Sequence, residues 1–314
     1  MRASVLAAVG VFGLALFAGG QQTPPPKPAG AAQDEPTRFS LEVTRVSMVF
    51  SVMDKKGRFV TDLTKDDFDV FENKKAQAIS EFAAESDLPL RMGILIDTSN
   101  SIRDRFRIEQ EAASEFLKSL MRSNIDKAMI MSFDSKAELA ADLTDNTDKL
   151  ESTINGLRPG GGTALYDAIY LACRDQLSRD QPSSKFRRII LVVSDGEDNQ
   201  SEYTRDQALE MALKADAVIF AVSTNNLTRG DTEGDKTLKY LTVQTGGRAY
   251  FPFRPEDLAQ NFEIISEEVR HQYVILFRPD PLKTDGMFHP VELRVKGHKE
   301  LAIRARSGYY APKM

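Results

Sequence analysis

The sequence predicts an α/β fold: a doubly wound, mostly parallel sheet with one antiparallel edge strand, inserted in a small β-sandwich formed by the N- and C-terminal segments. Three observations carry that prediction. Between residues 88 and 272, short apolar runs alternate with segments of helical period, the pattern of a parallel sheet covered on both faces. Ile189-Ile190-Leu191-Val192-Val193 shows no polar alternation, as a central strand buried on both sides requires. On both flanks, 38–87 and 273–314, apolar and polar residues alternate with period two instead.

The N-terminus stands apart from this fold. Met1-Arg2 is followed by an almost wholly apolar stretch to Gly20, ending in the small residues Ala18-Gly19-Gly20. That is the pattern of a secretory signal peptide over residues 1–20. It predicts an exported protein, periplasmic, cell-surface or extracellular, with membrane contact only through this segment if it is left uncleaved. Residues 21–37 hold Pro24-Pro25-Pro26 among polar residues and read as an extended, disordered linker.

Residues 38–87 supply the first strands. Phe39, Leu41 and Val43 alternate with polar positions, as do Val46, Met48, Phe50 and Val52, with a register change near Arg45 that predicts a bulge. A turn at Asp54–Gly57 precedes Phe59-Val60, and two short strands, Phe68–Phe71 and Ala78–Phe82, flank Glu72–Lys75. In the alternating part, strands are expected at Met92–Ile96, Ala128–Phe133, Ile189–Val193 and Ala217–Val222. Helices are expected at Arg105–Met121, Thr147–Leu157, Ala164–Leu177, Arg205–Ala215, Lys236–Thr245 and Glu256–Val269. Ala137–Thr144 reads as the return of a hairpin, hence the antiparallel edge. The tail 273–314 gives strands at Tyr273–Phe277, Val291–Val295 and Ala302–Ala305. Each flank is too small to bury a face alone, so both are expected to share one sandwich.

Composition narrows function by exclusion. A net charge of −5 gives no electrostatic footprint for nucleic acid. One cysteine, Cys173, allows no internal disulfide, and its place on the stripe of Leu165, Ile169 and Ala172 predicts a buried core thiol. The three histidines, His271, His289 and His298, lie away from every chemically suggestive loop. There is no HExxH, no GxSxG elbow and no GxxxxGK[ST] phosphate loop.

Three loops group oxygen-bearing side chains at expected strand ends and helix starts: Asp97-Thr98-Ser99-Asn100-Ser101, Pro159-Gly160-Gly161-Gly162-Thr163 and Ser194-Asp195-Gly196-Glu197-Asp198. Each alone has an ordinary explanation. Asp97 or Ser99 can cap a helix, so can Thr163, and Asp195-Gly196 can be a turn. Together, at the carboxyl ends of strands in an open sheet, they form an all-oxygen set suited to a hard divalent cation.

Asp97-x-Ser99-x-Ser101, Thr163 after a glycine run, and Asp195 in Ser-Asp-Gly resemble the metal-ion-dependent adhesion site of von Willebrand factor A domains, a Rossmann-type fold. The flanks, with Lys56–Leu63, Asp66-Asp67-Phe68 and Arg306–Tyr310, resemble exported bacterial proteins, common in Acidobacteria, that carry such a domain. The resemblance implies Mg²⁺, with Mn²⁺ or Ca²⁺ as alternatives. It implies direct coordination by Ser99 and Ser101, a direct or water-mediated Thr163, and Asp97 and Asp195 acting through water. Its function would be cation-dependent protein binding without catalysis, the ion accepting an Asp or Glu side chain of an unidentified protein partner. The last helix, Pro255–Arg270, would be the element that shifts with ligand.

Two other readings stand beside it. One is a metal-independent cell-envelope scaffold. The other is phosphotransfer on Asp97, weakened because Ser99 stands where a second acid would be expected. Glu197 and Asp198 are candidates for extra calcium-type ligands or simply a solvated acidic loop. Arg229-Gly230-Asp231 is a short match to an adhesion tripeptide and carries little weight.

Overall fold

The structure, a computed structural model, describes residues 45–84, 88–179, 185–225, 232–252 and 257–313. The expected signal and linker segments, the Phe39–Val43 alternation and Arg229–Asp231 lie outside the described residues.

The flank begins with β1 (Val46–Met53), β2 (Phe68–Glu72), β3 (Lys75–Gln77) and β4 (Ile79–Ala83). The alternating part follows as β5 (Leu90–Asp97), α1 (Phe106–Leu120), β6 (Lys127–Phe133), β7 (Ala137–Thr144), α2 (Thr147–Gly156) and α3 (Leu165–Leu171). It continues through β8 (Arg187–Ser194), α4 (Arg205–Lys214), β9 (Ala217–Ser223), α5 (Glu233–Thr245), β10 (Ala249–Tyr250) and α6 (Asp257–Arg270). The tail adds β11 (Tyr273–Phe277), β12 (Phe288–Val295), β13 (Ala302–Ala305) and β14 (Gly308–Tyr310).

Among the described residues the central sheet has the order β10-β9-β8-β5-β6-β7. Every pair is parallel except β6 with β7, the predicted hairpin. The chain works outward from β5 to β7, then returns to β8 on the other side of β5 and works outward to β10. β5 and β8 thus bracket the switch point, and the crevice beyond their carboxyl ends is where such a sheet holds ligands. Both strands are buried along their whole length. One face of the sheet packs against α1, α2 and α6, the other against α3, α4 and α5.

The flanking strands form two antiparallel sheets, β13-β1-β11-β4 and β14-β12-β2-β3. Each draws strands from both flanks of the chain. Their apolar faces meet in one cluster, in which the Phe50 ring meets Phe68 edge-on at 5.1 Å and stacks on Tyr273 at 5.5 Å.

Several boundaries differ from expectation, each for a local reason. The helix expected over Ala164–Leu177 is α-helical only to Leu171 and then widens into a π turn over Ala172–Leu177. There the Cys173 carbonyl accepts both the N–H of Ser178, five residues on, and its hydroxyl. α5 starts at Glu233 rather than Lys236, because Thr232 and Asp235 form a capping box. Phe59-Val60 is not a strand. Only an isolated bridge joins Met53 to Phe59, since Asp54 draws the backbone N–H groups of Lys56 and Arg58 into a turn. Asn73 and Lys74 adopt positive φ and return the chain as β3, not as Ala78–Phe82; β4 instead pairs with β11 in the other sheet. Cys173 is fully buried, and burial pushes its thiol up.

Candidate functional site

The site grows from the ends of β5 and β8. Parallel pairing sets Ile96 opposite Val193, so Asp97 and Ser194 emerge side by side. Asp97 is fully buried, and both its carboxylate oxygens are used. Oδ1 accepts the Ser99 N–H at 2.8 Å, and Oδ2 accepts the Ser194 hydroxyl at 2.6 Å. Burial is the main force that pushes its carboxyl up to about 6; the Ser194 and Ser99 hydrogen bonds oppose this, and the charge of Asp195 adds to it.

From Asp97 the chain of polar atoms runs outward. The Ser99 and Ser101 hydroxyls lie 2.9 Å apart, and Ser101 donates to Asp195 Oδ2 at 2.7 Å. Asp195 Oδ1 accepts the Glu197 N–H at 3.1 Å. Asp97 and Ser99 are buried whereas Ser101 is exposed, so the set opens to solvent on the Ser101 side.

Thr163 arrives on the glycine loop. Gly160 N–H donates to the Thr98 carbonyl at 2.6 Å, and Asn100 N–H donates to Gly161 at 3.3 Å. Gly161 holds φ +81°, a conformation that L side chains rarely adopt, and a Cβ there would press on Ser135 and Asp134. On the far side, Thr163 N–H donates to Asn199 Oδ1 at 3.1 Å, and its carbonyl accepts the Asn199 and Gln200 N–H groups at 3.0 Å. The glycine loop is thus tied to the first loop at one end and the third at the other. Of the five residues singled out by sequence, Asp97, Ser99, Ser101 and Asp195 are joined through hydrogen bonds, whereas Thr163 is bonded through its backbone to Asn199 and Gln200.

The ordinary explanations for Ser99 and Thr163 fail here. Ser99 precedes a short 3-10 turn, Asn100–Ile102, and its side chain caps nothing. The N-cap of α3 is Ala164, not Thr163. Asp198 is engaged structurally, accepting the Tyr166 N–H and the Ser201 hydroxyl. Among the described residues no group of three His, Cys, Asp or Glu side chains is arranged to hold a metal. The donor set is two carboxylates with three hydroxyls, a composition for a hard cation that keeps part of its water.

Sequence reasoning missed several participants. Ser194 locks Asp97 and also accepts the Gly196 N–H at 3.0 Å. Asn225 donates to the Asp195 carbonyl at 2.7 Å and to Asp235 Oδ1 at 2.9 Å, tying α5 to the third loop. Glu109, on α1, is 2% exposed, and the charges of Asp97 and Asp195 act on it. The one signal for it in the sequence is faint: it falls on the stripe of Phe106, Ala113, Phe116 and Leu120, where an apolar residue is the rule.

Residues 92–197 match the family model of the von Willebrand factor type A domain. A von Willebrand factor type A protein from Catenulispora acidiphila superposes with a TM-score of 0.50 at 14% identity, covering 79% of this chain and 73% of that one. BatB, a conserved hypothetical protein from Bacteroides thetaiotaomicron, gives a TM-score of 0.47 at 19% identity, over 57% of this chain and 98% of that one. Proximal thread matrix protein 1 from the mussel byssus, with a zinc-occupied MIDAS motif, gives 0.49 at 14% identity, over 63% of this chain and half (50%) of that one. At that level the last two likenesses decide nothing about this chain. No curated protein matches it. The α/β part therefore has a von Willebrand factor A-type fold, a fold that generally serves protein interaction.

Proposed function

We propose that this protein is a divalent-cation-dependent protein-binding module. The observation that carries the reading is the hydrogen-bonded series Asp97–Ser99–Ser101–Asp195 at the β5/β8 switch point, running from a buried carboxylate to an exposed hydroxyl. Ser99, Ser101 and Thr163 would hold Mg²⁺, or Mn²⁺ or Ca²⁺ in its place, through neutral hydroxyls. Asp97, whose two oxygens are already taken by Ser99 and Ser194, suits a role through water, and Asp195 shares it. Neutral direct ligands leave the ion most of its charge. An Asp or Glu side chain of a partner protein is then the natural occupant of its open position.

The same geometry weighs against phosphotransfer on Asp97. A nucleophile that is fully buried and accepts hydrogen bonds at both oxygens is poorly placed to attack a phosphodonor. We read the domain order as a signal peptide (1–20), a linker (21–37), and an α/β domain (88–272) inserted in one β-sandwich made by 38–87 and 273–314, in an exported protein. Among the described residues no helix is long and apolar enough to cross a membrane.

Thermal unfolding with Mg²⁺, Mn²⁺ or EDTA, for the protein and for Asp97→Ala and Ser99→Ala, tests the reading. A cation-dependent rise in Tm that both variants lose is the expected result. No shift with any cation would favour the metal-independent scaffold.

A further inference from the structure

The inward stripe of α1 contains one residue that burial alone does not explain. Phe106, Ala113, Phe116, Leu117 and Leu120 bury apolar surface against β5 and α6. Glu109 shares their burial, yet neither of its carboxylate oxygens has a hydrogen-bond partner among the described residues. A carboxylate held that way is costly as an ion, and a leucine would serve the core better.

Glu109 lies in the first turn of α1, which follows directly on the loop that carries Ser99 and Ser101. The Glu109 N–H donates to the Arg105 carbonyl at 3.2 Å, and the Arg105 guanidinium donates to the Thr224 carbonyl at 2.9 Å, just past β9. Thr224 N–H in turn donates to the Ser194 carbonyl at 3.1 Å, one residue before Asp195. The Thr224 hydroxyl is a second buried polar group without a partner among the described residues. Two unpartnered polar groups are therefore buried on elements that adjoin the site loops. Burial pushes the Glu109 carboxyl up to about 8; the charges of Asp97 and Asp195 add to this and Arg105 opposes it. Negative charges that act on one another in this way repel, and a divalent cation placed among them inverts the interaction.

We propose that Glu109 is a further carboxylate of the cation site, set behind Asp97, that partners the bound ion through its water. This rests on the cation-binding reading above and extends it. The ion's coordinated waters are donors, which an acceptor-only carboxylate needs. The α1 N-terminal turn adds a favourable dipole for the negative charge. With Glu109 included, a third carboxylate acts on the site from behind, through water, while the ion's direct ligands remain neutral hydroxyls. Selectivity would then favour hard cations that retain water, Mg²⁺ and Mn²⁺, over softer ones.

The test is titration calorimetry with Mg²⁺ and Mn²⁺, paired with thermal unfolding in EDTA, on the wild type, Glu109→Gln and Glu109→Met. Glu111→Gln, exposed on the same helix, is the control. Loss of a partner that acts through water lowers metal affinity about 10- to 100-fold. Both Glu109 variants should show that loss, with a Tm in EDTA equal to or above the wild type, while the control binds normally. Wild-type cation affinity in both variants would overturn this inference and leave the cation-binding reading standing. Failure of the wild type to bind either ion would overturn both. Variants less stable than wild type in EDTA would also count against it, because a carboxylate retained for the ion contributes nothing to the ion-free fold.

Discussion

Two glutamates on neighbouring helices, Glu109 on α1 and Glu268 on α6, are 2% and 1% exposed. The helices touch through Phe116 and Phe262, whose rings lie 5.1 Å apart. Yet the two side chains live in opposite circumstances. Glu268 is saturated: Ser51 donates to Oε1 at 3.0 Å, Arg304 pairs with the same oxygen, and Tyr250 donates to Oε2 at 3.2 Å. Those partners come from β1, β13 and β10, so Glu268 fastens the last helix of the α/β part to the flanking sheets. Glu109 has no such partners among the described residues, and the charges of Asp97 and Asp195 act on it. Burial of a charge is therefore two different statements. With partners supplied by the fold it is a fastening; without them it is a demand for something brought from outside.

The comparison can be broken most forcefully at Glu268. Glu268→Ala strands the largely buried Arg304 guanidinium, and removal of one partner of a buried pair costs about 3–5 kcal/mol. Urea unfolding should show the same loss in EDTA and in Mg²⁺; a loss confined to one condition would place Glu268 in the cation's circuit and dissolve the contrast. Asp97→Ala comes next. It should abolish a cation-dependent gain of about 2.7 kcal/mol at a hundredfold excess of ion over Kd. If the gain survives, the ion binds elsewhere.

Gly196→Ala sharpens the contrast from the backbone side. Gly196 holds φ +79°, and a Cβ there would collide with the Gly234 carbonyl at the start of α5. Overpacking of that kind costs about 1–3 kcal/mol. Calorimetry should find a lower Tm in every condition, with cation binding weakened because Asp195 precedes it. An unchanged affinity would mean that the third loop tolerates displacement.

pH dependence offers a further test. Glu109 and Asp97 have folded-state values raised to about 8 and about 6, from ordinary values of 4.5 and 3.8. The folded state therefore holds more protons than the unfolded chain between those limits, and stability falls as pH rises through the window. In EDTA, unfolding free energy should decline from pH 5 to pH 8, and Glu109→Gln should flatten the upper part of that slope. A flat wild-type profile would mean that Glu109 is solvated or paired in solution.

Strands with unbroken apolar runs were legible from sequence because burial on both faces leaves no other reading. β8 and β9 are such cases, and the β6–β7 hairpin followed from the turn residues Asp134-Ser135-Lys136 directly before Ala137–Thr144. Short strands were not: β3, β10 and β14 have three, two and three residues, too few for a period to register. The start of α5 was hidden in a polar loop, because its capping box uses the same residue types as a turn. In the site, the three loops were legible because glycines, hydroxyls and acids cluster in sequence. Glu109 was not, because its partnership is tertiary. Only the folded placement of α1 brings it under the charges of Asp97 and Asp195, and one carboxylate in a helix looks like one more solvated charge.

The interleaving of the flanking strands sets a constraint on the order of assembly. Val46 lies opposite Phe277 and Phe50 opposite Ala305, while β2 waits for β12. A ribosome delivers β1–β4 long before those partners exist. The central α/β part, rich in nearer contacts, is positioned to form first, leaving the early strands as open edges until the tail arrives. The late closing step is then the vulnerable one. Truncation or slow synthesis of the last forty or so residues (on the order of two seconds or more at typical rates) would expose those edges to other chains, so yield in the cell should depend on the tail more steeply than cation binding does.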